Sequence, residues 1–276
     1  MSVIPVIVGP TGSGKTGVSV KIAKEVRRQL GLDCEIISAD SRTIYKDFNI
    51  GTAKPSEEER EGVVHHGFDL VEANERFTVK DWKDYAEGKI EEIQNRGGVP
   101  IVVGGTGLYI DALVFDYKFE APSKGYEGSR GECIKNLNGK NGSVIQNDKK
   151  RYPDRQELCS EYKIFGIKWE KEELRQRIFE RADKMFNSDL YKETETLVKK
   201  YGWDNQAMTG DIYKYAWMFL NNELSREEAV RLTAFNDWHL AKRQLTWFKR
   251  NDKICWLPLE KIKPAVIKCI QDEQRK

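Results

Sequence analysis

Val3-Ile4-Pro5-Val6-Ile7-Val8, a short apolar run, leads directly into Gly9-Pro10-Thr11-Gly12-Ser13-Gly14-Lys15-Thr16. The second segment fits the pattern GxxxxGK(S/T) of the phosphate-binding loop, or P-loop, which lies between a buried strand and a helix. The run before it has the length and composition of a buried strand, and apolar residues recur at helical spacing over residues 16–30. The sequence therefore predicts a strand, a P-loop and a helix in that order.

The P-loop is suited to hold a phosphate chain. Glycines let successive backbone N–H groups surround phosphate oxygens, and the N-terminus of the following helix adds a favourable potential. Lys15 supplies a mobile positive charge, and the hydroxyl of Thr16 can bind a Mg²⁺ ion that the phosphates also hold. The pattern is typical of nucleotide-binding and ATP-binding proteins, but it does not identify the reaction. The predicted phosphate-binding residues are Gly9, Pro10, Thr11, Gly12, Ser13, Gly14, Lys15 and Thr16.

The rest of the chain alternates between strand and helix patterns, as expected for a parallel α/β sheet. Further strands are predicted at residues 34–38, 99–103 and 162–167, with a helix at 79–94, and the chain after residue 170 has a mostly helical pattern. We therefore predict a P-loop NTPase-like α/β fold. Its sheet is mostly parallel and flanked by helices, with a short insertion and a helical C-terminal portion.

The predicted domain boundaries follow a change in composition near the middle of the chain. Residues 118–160 are rich in Gly, Asn, Ser and Lys and show little periodicity, which predicts a shortened insertion or a mobile loop. Residues 1–117 form the predicted P-loop core. Residues 161–276 supply the rest of the core and the C-terminal helices.

The composition is that of a globular protein in a reducing compartment. Charged residues make up 33% and hydrophobic residues 39%, and no apolar run approaches the roughly 18 residues of a membrane span. The five cysteines are scattered and lack CxxC spacing, which argues for reduced thiols and against a zinc site. The N-terminus has no signal-peptide pattern, so we expect a cytoplasmic monomer without a membrane partner. A net charge of +2 neither requires nor excludes a nucleic-acid partner.

One carboxylate is placed to act beside the P-loop. ATPases and GTPases usually carry an acid at the end of a further strand, but the strand at 99–103 ends in Gly104-Gly105-Thr106. The acid occurs instead at Asp40, after the strand at 34–38. Ligands of open parallel sheets bind at the carboxyl ends of the strands, so Asp40 is predicted to face a second substrate. The alternative is that Asp40 is only a turn or helix-capping residue.

A helix near the C-terminus is predicted to have a basic face. His239, Lys242, Arg243, Thr246 and Arg250 fall on one side of it. Such a face is commonly just the solvated side of an amphipathic helix, and RNA phosphate or another anion is the alternative partner.

Two tryptophans elsewhere, Trp82 and Trp217, are expected to pack in the interior. The adjacent His65 and His66 are not expected to form a metal site.

Several segments, in order along the chain, resemble the tRNA dimethylallyltransferases, also called tRNA isopentenyltransferases. They are the P-loop at 9–16, Ser38-Ala39-Asp40-Ser41-Arg42-Thr43-Ile44-Tyr45, Asn49-Ile50-Gly51-Thr52-Ala53-Lys54-Pro55, Val103-Gly104-Gly105-Thr106-Gly107-Leu108-Tyr109 and Ala241-Lys242-Arg243-Gln244-Leu245-Thr246-Trp247-Phe248. The similarity is close over residues 3–115 and looser over residues 160–257. Ordered blocks of this kind are far more specific than the P-loop alone.

The resemblance implies a reaction and its substrates. Dimethylallyl diphosphate would place its pyrophosphate on the P-loop with Mg²⁺, and N6 of an unpaired adenine in a tRNA anticodon loop would attack the allylic carbon. In this family the adenine is flipped out of its stack, as is general for enzymes that act on a base. The partners implied are therefore the anticodon stem-loop of tRNA and dimethylallyl diphosphate, and the cofactor is Mg²⁺ bound by Thr16.

The resemblance also implies roles for individual residues. Asp40 would be the general base, Lys15 would stabilise the leaving pyrophosphate, and Thr106 would line the tunnel where the two substrates meet. The residues implied on the adenine or tRNA side are Asp40, Ser41, Arg42, Thr43, Thr106, Lys242, Arg243 and Gln244.

The chain departs from the family pattern at two places. The insertion at about 118–160 is short, and Thr209 stands where the family typically has an arginine before a Gly-Tyr pair. Residues 211–216 also resemble the adenylate isopentenyltransferases, so prenylation of a free adenine nucleotide is one alternative. A small-molecule P-loop kinase and an RNA-binding protein with a degenerate site are the others.

Overall fold

A computed structural model of the chain describes residues 3–119 and 158–275. Six strands form one sheet, in the order β3-β2-β4-β1-β5-β6, and every neighbouring pair is parallel. The strands are β1 Ile4–Val8, β2 Cys34–Ala39, β3 His65–His66, β4 Val99–Gly104, β5 Tyr162–Lys168 and β6 Cys255–Pro258. The predicted parallel α/β fold is therefore confirmed. The predicted insertion at 118–160 lies almost wholly outside the described residues.

The helices of the described residues divide into those that cover the sheet and those that follow it. The covering helices are α1 Lys15–Leu30, α3 Val79–Asn95, α4 Gly107–Val114 and α9 Leu259–Gln274, and a short α2 is formed by Glu57–Arg60. The others are α5 Lys171–Phe186, α6 Leu190–Tyr201, α7 Asp211–Leu220 and α8 Arg226–Phe248.

Alternating side chains of the central strands bury both faces of the sheet. In β1, Ile4, Val6 and Val8 pack with residues of α3 and α4 on one face. Ile7, between them, packs on the opposite face with residues of α1 and α9. Strands that are apolar on both faces are typical of parallel sheets, which explains why these strands read as continuous apolar runs in the sequence.

The strand register brings three chain segments to one edge of the sheet. Val8 of β1 and Ala39 of β2 both pair with Gly104 of β4. The residues that follow each strand therefore start from the same level, at the carboxyl edge. A Cβ atom on Gly104 would lie 2.1 Å from the carbonyl oxygen of Ala39, so this close pairing requires glycine.

The helices α5 to α8 form a second core beside that edge. Their buried residues pack together with Ile44, Tyr45 and Phe48, which lie in the segment after β2. The sequence prediction of a mostly helical region after residue 170 missed β6. This edge strand has only four residues and lacks the long apolar run of the central strands, so periodicity alone does not reveal it.

One carboxylate on α6 fixes the loop that connects the two cores. Glu193 accepts hydrogen bonds from the backbone N–H groups of Asn49, Ile50 and Gly51, at 3.2, 2.8 and 3.0 Å. It also accepts one from the hydroxyl of Tyr213 at 2.9 Å. A charged acceptor with four donors is suited to hold backbone N–H groups that no strand or helix satisfies.

We predict that Glu193→Gln lowers the free energy of unfolding by about 2 kcal/mol, because an amide offers one acceptor oxygen in place of two charged ones. Urea unfolding followed by circular dichroism measures the loss. The matched control is Glu195→Gln on the same helix, where the exposed carboxylate pairs with Lys199 one turn away. That change should alter stability by less than about 0.5 kcal/mol. Equal effects of the two substitutions would contradict the role of Glu193.

Candidate active site

A cleft of about 820 Å³ lies at the carboxyl edge of the sheet. Its walls come from the P-loop, the segments after β2 and β4, and the helices α5 and α8. Both cores therefore contribute to it. Ligands of open parallel sheets bind at this edge, so the cleft occupies the position expected of a substrate site.

The P-loop forms the floor of the cleft. Gly12 and Gly14 adopt positive φ angles of 76° and 85°, which lets the chain curl before α1 begins at Lys15. The N-terminus of α1 thus faces the cleft, with its positive potential and its free N–H groups. The ammonium of Lys15 donates to the carbonyl oxygens of Gly9 and Pro10 at 2.9 and 2.8 Å.

Burial lowers the pKa of Lys15 to about 8, and the negative charge of Asp40 opposes that shift. Lys15 is therefore still mainly protonated at neutral pH, and a bound anion would favour the charged form further. Among the predicted phosphate-binding residues, those from Thr11 to Thr16 line the cleft, and Gly9 and Pro10 lie behind them as acceptors for Lys15.

Asp40 lines the same cleft as the P-loop. Its Oδ1 accepts the backbone N–H of Arg42 at 2.8 Å, which is a turn-type contact within the segment after β2. The backbone N–H of Ser41 donates to the hydroxyl of Thr106 at 3.0 Å, and the N–H of Thr106 donates to the carbonyl oxygen of Ala39 at 3.1 Å. These bonds join the ends of β2 and β4, so Asp40 and Thr106 are held side by side.

Arg42 connects this edge to the helical core. Its guanidinium donates to the carbonyl oxygen of Gln206 at 3.1 Å and to the hydroxyl of Thr209 at 2.9 Å. Thr209, where the family pattern has an arginine, thus serves as an acceptor for an arginine from the segment after β2. Thr43 lines the cleft but is almost completely buried. Its hydroxyl lies 3.3 Å from that of Ser38.

Gln244 of α8 links the P-loop to the segment after β4. Its side-chain oxygen accepts the backbone N–H of Thr11 at 2.8 Å, and its side-chain nitrogen donates to the carbonyl oxygen of Gly105 at 3.0 Å. Arg243 also lines the cleft. Lys242 does not: it is exposed, with its ammonium 5.9 Å from the centre of the Trp238 ring.

The structure adds cations that the sequence reasoning missed. Arg177, Arg181 and Lys184 of α5 line the cleft at spacings of four and three residues, which places them on one face of the helix. Arg177 donates to the carbonyl oxygen of Gly12 at 3.0 Å, and Arg181 pairs with Asp237 at 2.9 Å. Their helical spacing was visible in the sequence, but the approach of α5 to the P-loop was not.

Other side chains singled out in the sequence have structural partners. Trp82 is fully buried, stacks on Tyr109 and donates to the carbonyl oxygen of Ser38 at 2.9 Å. His66 lies 2.6 Å from the buried carboxylate of Glu35.

Within residues 3–119 and 158–275 no cluster of three or more His, Cys, Asp or Glu side chains could hold a metal ion. No helix there is both long and apolar enough to span a membrane.

A partly buried carboxyl group contacts one residue of the cleft wall. Asp111 of α4 accepts a hydrogen bond from the indole N–H of Trp247 at 2.7 Å, and Trp247 lines the cleft. Burial raises the pKa of Asp111 to about 6, although the bond from Trp247 and the charge of Arg250 act in the opposite direction. The contact fastens the end of α8 to α4.

Comparison with known proteins identifies the family. A family model described as IPP transferase matches residues 43–138 and 129–251, and one described as Isopentenyl transferase matches residues 2–72. A tRNA dimethylallyltransferase of Desulforudis audaxviator is 36% identical over 92% of this chain and 91% of its own length. One of Acetivibrio thermocellus is also 36% identical, over 93% of this chain and 92% of its own length. The chain belongs to the tRNA dimethylallyltransferase family.

A solved structure agrees with this assignment. The full-length tRNA isopentenylpyrophosphate transferase of Bacillus halodurans superposes with a TM-score of 0.76 and 26% identity, and the match covers 100% of this chain and 99% of that one. The family resemblance drawn from the sequence blocks is therefore confirmed. The relatives align with nearly their whole length, so the chain spans the same extent as they do.

The raised pKa of Asp111 predicts a pH-dependent stability. The folded protein keeps the proton of Asp111 up to about pH 6, whereas the unfolded chain releases it near the ordinary value of 3.8. Folding therefore takes up a proton between these values, and this residue makes the folded state less stable as the pH rises from about 4 to 6. Asp111→Asn keeps an acceptor oxygen for Trp247 and should remove that slope.

Urea unfolding of both proteins between about pH 4.5 and 7.5 checks this prediction. The stability of Asp111→Asn relative to the unsubstituted protein should increase with pH and level off above about pH 6 to 7. Parallel stability curves would mean that Asp111 titrates at its ordinary value in the folded protein.

Proposed function

We propose that this protein transfers a dimethylallyl group from dimethylallyl diphosphate to N6 of an unpaired adenine in a tRNA anticodon loop. The observation that carries the proposal is that Asp40 and the P-loop with Lys15 line one cleft. A base and an anion site within one cleft are what this transfer requires. The relatives' designation as tRNA dimethylallyltransferases supports the choice of substrates.

The acceptor side needs a base. The exocyclic amine of adenine is a weak nucleophile because its lone pair is delocalised into the ring. As N6 forms its bond to the allylic carbon, the carboxylate of Asp40 accepts the proton that the nitrogen loses. General-base catalysis of this kind is typically worth about 10²- to 10⁴-fold in rate. Arg42 donates its backbone N–H to this carboxylate, Ser41 and Thr106 line the cleft beside Asp40, and all three are proposed to position the adenine.

The donor side needs stabilisation of negative charge. The bond between the allylic carbon and the diphosphate oxygen breaks, and pyrophosphate leaves with the electron pair. The N-terminus of α1, Lys15 and the α5 cations Arg177 and Arg181 line the part of the cleft around the P-loop, where we propose that the leaving group binds. Preorganised donors and charges directed at a developing anion are usually the largest contribution to such catalysis.

Mg²⁺ fits the chemistry of this site. The hydroxyl of Thr16 lines the cleft, and a metal there would be held by substrate phosphates, water and this hydroxyl, which is the usual mode for Mg²⁺ at phosphates. The ion would add positive charge opposite the departing pyrophosphate.

We also propose a cytoplasmic location, where tRNA is available and the free cysteines of the described residues would stay reduced.

One assay tests the proposal against its alternatives. Purified protein is incubated with Mg²⁺, labelled dimethylallyl diphosphate and either tRNA or AMP as the acceptor. We expect label in tRNA. Label only in AMP would show a free-nucleotide prenyltransferase. Consumption of ATP without prenyl transfer would show a kinase, and no transfer at all would leave only a binding role.

Asp40→Asn tests the base directly. Asparagine can still accept the N–H of Arg42, so the turn should keep its shape, but it cannot take up the proton from the amine. We expect the rate of the chemical step to fall by about 10²- to 10⁴-fold in single-turnover experiments, with diphosphate affinity changed by less than about twofold. An equal loss of rate and of diphosphate affinity would remove Asp40 from the role of base.

A further inference from the structure

The outward side of α8 carries an exposed aromatic ring among positive charges. Phe235 is 58% exposed, and the ring of His239 meets it edge-on with 4.5 Å between the ring centres. The exposed Arg231 lies one turn before Phe235, and the exposed Lys242 lies two turns after it. These four residues, Arg231, Phe235, His239 and Lys242, are called the outer face of α8 below.

The outer face is continuous with the rim of the cleft. A helix turns by about 100° per residue, so side chains four residues apart lie next to each other. His239 of the outer face therefore lies one turn before Arg243, and Arg243 lines the cleft. A ligand that extends out of the cleft past Arg243 reaches His239 and Phe235 first.

The charged side chains of the outer face are both basic. Arg231 and Lys242 are exposed, and the four residues of the face include no acid. The nearest acids on the same side of α8, Glu227 and Glu228, lie in its first turn, where Glu228 accepts the backbone N–H of Ser225 at 2.9 Å. Asp237 is paired with Arg181 of α5. From Arg231 to Lys242 the outer face therefore presents positive charge to a partner.

We propose that the outer face of α8 binds the tRNA strand next to the target adenine, with an unpaired base stacked on Phe235 and phosphate groups at Lys242 and Arg231. This rests on the proposed function, since the adenine must enter the cleft while the rest of the loop stays outside. Unpaired RNA bases stack on exposed aromatic side chains, and flanking cations bind the backbone. Arg231 and His239, four residues before and after Phe235, place polar side chains on both sides of its ring along the helix.

The test compares two exposed phenylalanines. Phe179 of α5 is 50% exposed and lies on the side of that helix opposite Arg177 and Arg181. Binding of a fluorescent anticodon stem-loop RNA is measured by anisotropy for Phe235→Ala, Phe235→Leu and Phe179→Ala. Loss of a stacked base should weaken binding by about 5- to 100-fold in both Phe235 variants and by less than about twofold in Phe179→Ala. Binding of inorganic pyrophosphate should stay unchanged in all three.

The salt dependence of binding tests the phosphate contacts. Lys242→Ala should reduce the slope of log affinity against log salt by about one, whereas Lys268→Ala, on α9, should leave it unaltered.

Equal RNA affinity of Phe235→Ala and Phe179→Ala would overturn the inference, as would a Phe235→Leu variant that binds RNA normally. A dimer that Phe235→Ala dissociates would assign the face to a second copy of the chain. Failure of the unsubstituted protein to prenylate tRNA would instead count against the proposed function.

Discussion

The site depends on the parallel register that aligns β1, β4 and β2. Val8 and Ala39 pair with the same residue, Gly104, so the P-loop, Asp40 and Thr106 all begin at one level of the sheet. A slip of one strand would move Asp40 away from the loop and turn its neighbours to the opposite face. The glycine at 104 permits this close approach, so the position of Asp40 relative to the P-loop is set by backbone pairing.

The second core completes the site because its helices α5 and α8 supply part of the cleft wall. Gln244 binds the P-loop and the segment after β4 with one amide group, and Arg42 connects the segment after β2 to the segment before α7. Arg177 and Arg181 bring positive charge from α5 to the same cleft. Neither core holds all of these groups alone. Burial is the main cause that lowers the pKa of Lys15, the negative charge of Asp40 opposes the shift, and the positive charge of Arg181 adds to it.

Much of the sheet was predictable because its central strands are buried on both faces. The apolar runs at 3–8, 34–38, 99–103 and 162–167 correspond to β1, β2, β4 and β5, and the P-loop pattern placed α1. The location of Asp40 at the ligand edge followed from the rule that parallel strands end on one side. The edge strands β3 and β6 are short and only partly buried, so their sequences carry no strand signal.

The contacts made across the chain could not be predicted. Gln244 and Thr11 are distant in sequence, and nothing local marks their hydrogen bond or the approach of Arg177 to Gly12. The predicted basic face included Arg250, but α8 ends at Phe248, so Arg250 lies beyond the helix. The prediction also did not separate Arg243, which lines the cleft, from Lys242, which is exposed outside it. That separation depends on how α8 is rotated against α5 and α7, which is a property of the packed structure.

The most direct test of the central claim is a crystal structure with Mg²⁺ and a thio-substituted analogue of dimethylallyl diphosphate that cannot react. The account predicts the diphosphate within hydrogen-bond distance of the P-loop N–H groups and Lys15, with the allylic carbon on the side of Asp40 and Thr106. A diphosphate bound away from the P-loop, or an allyl group separated from Asp40 by protein, would contradict it.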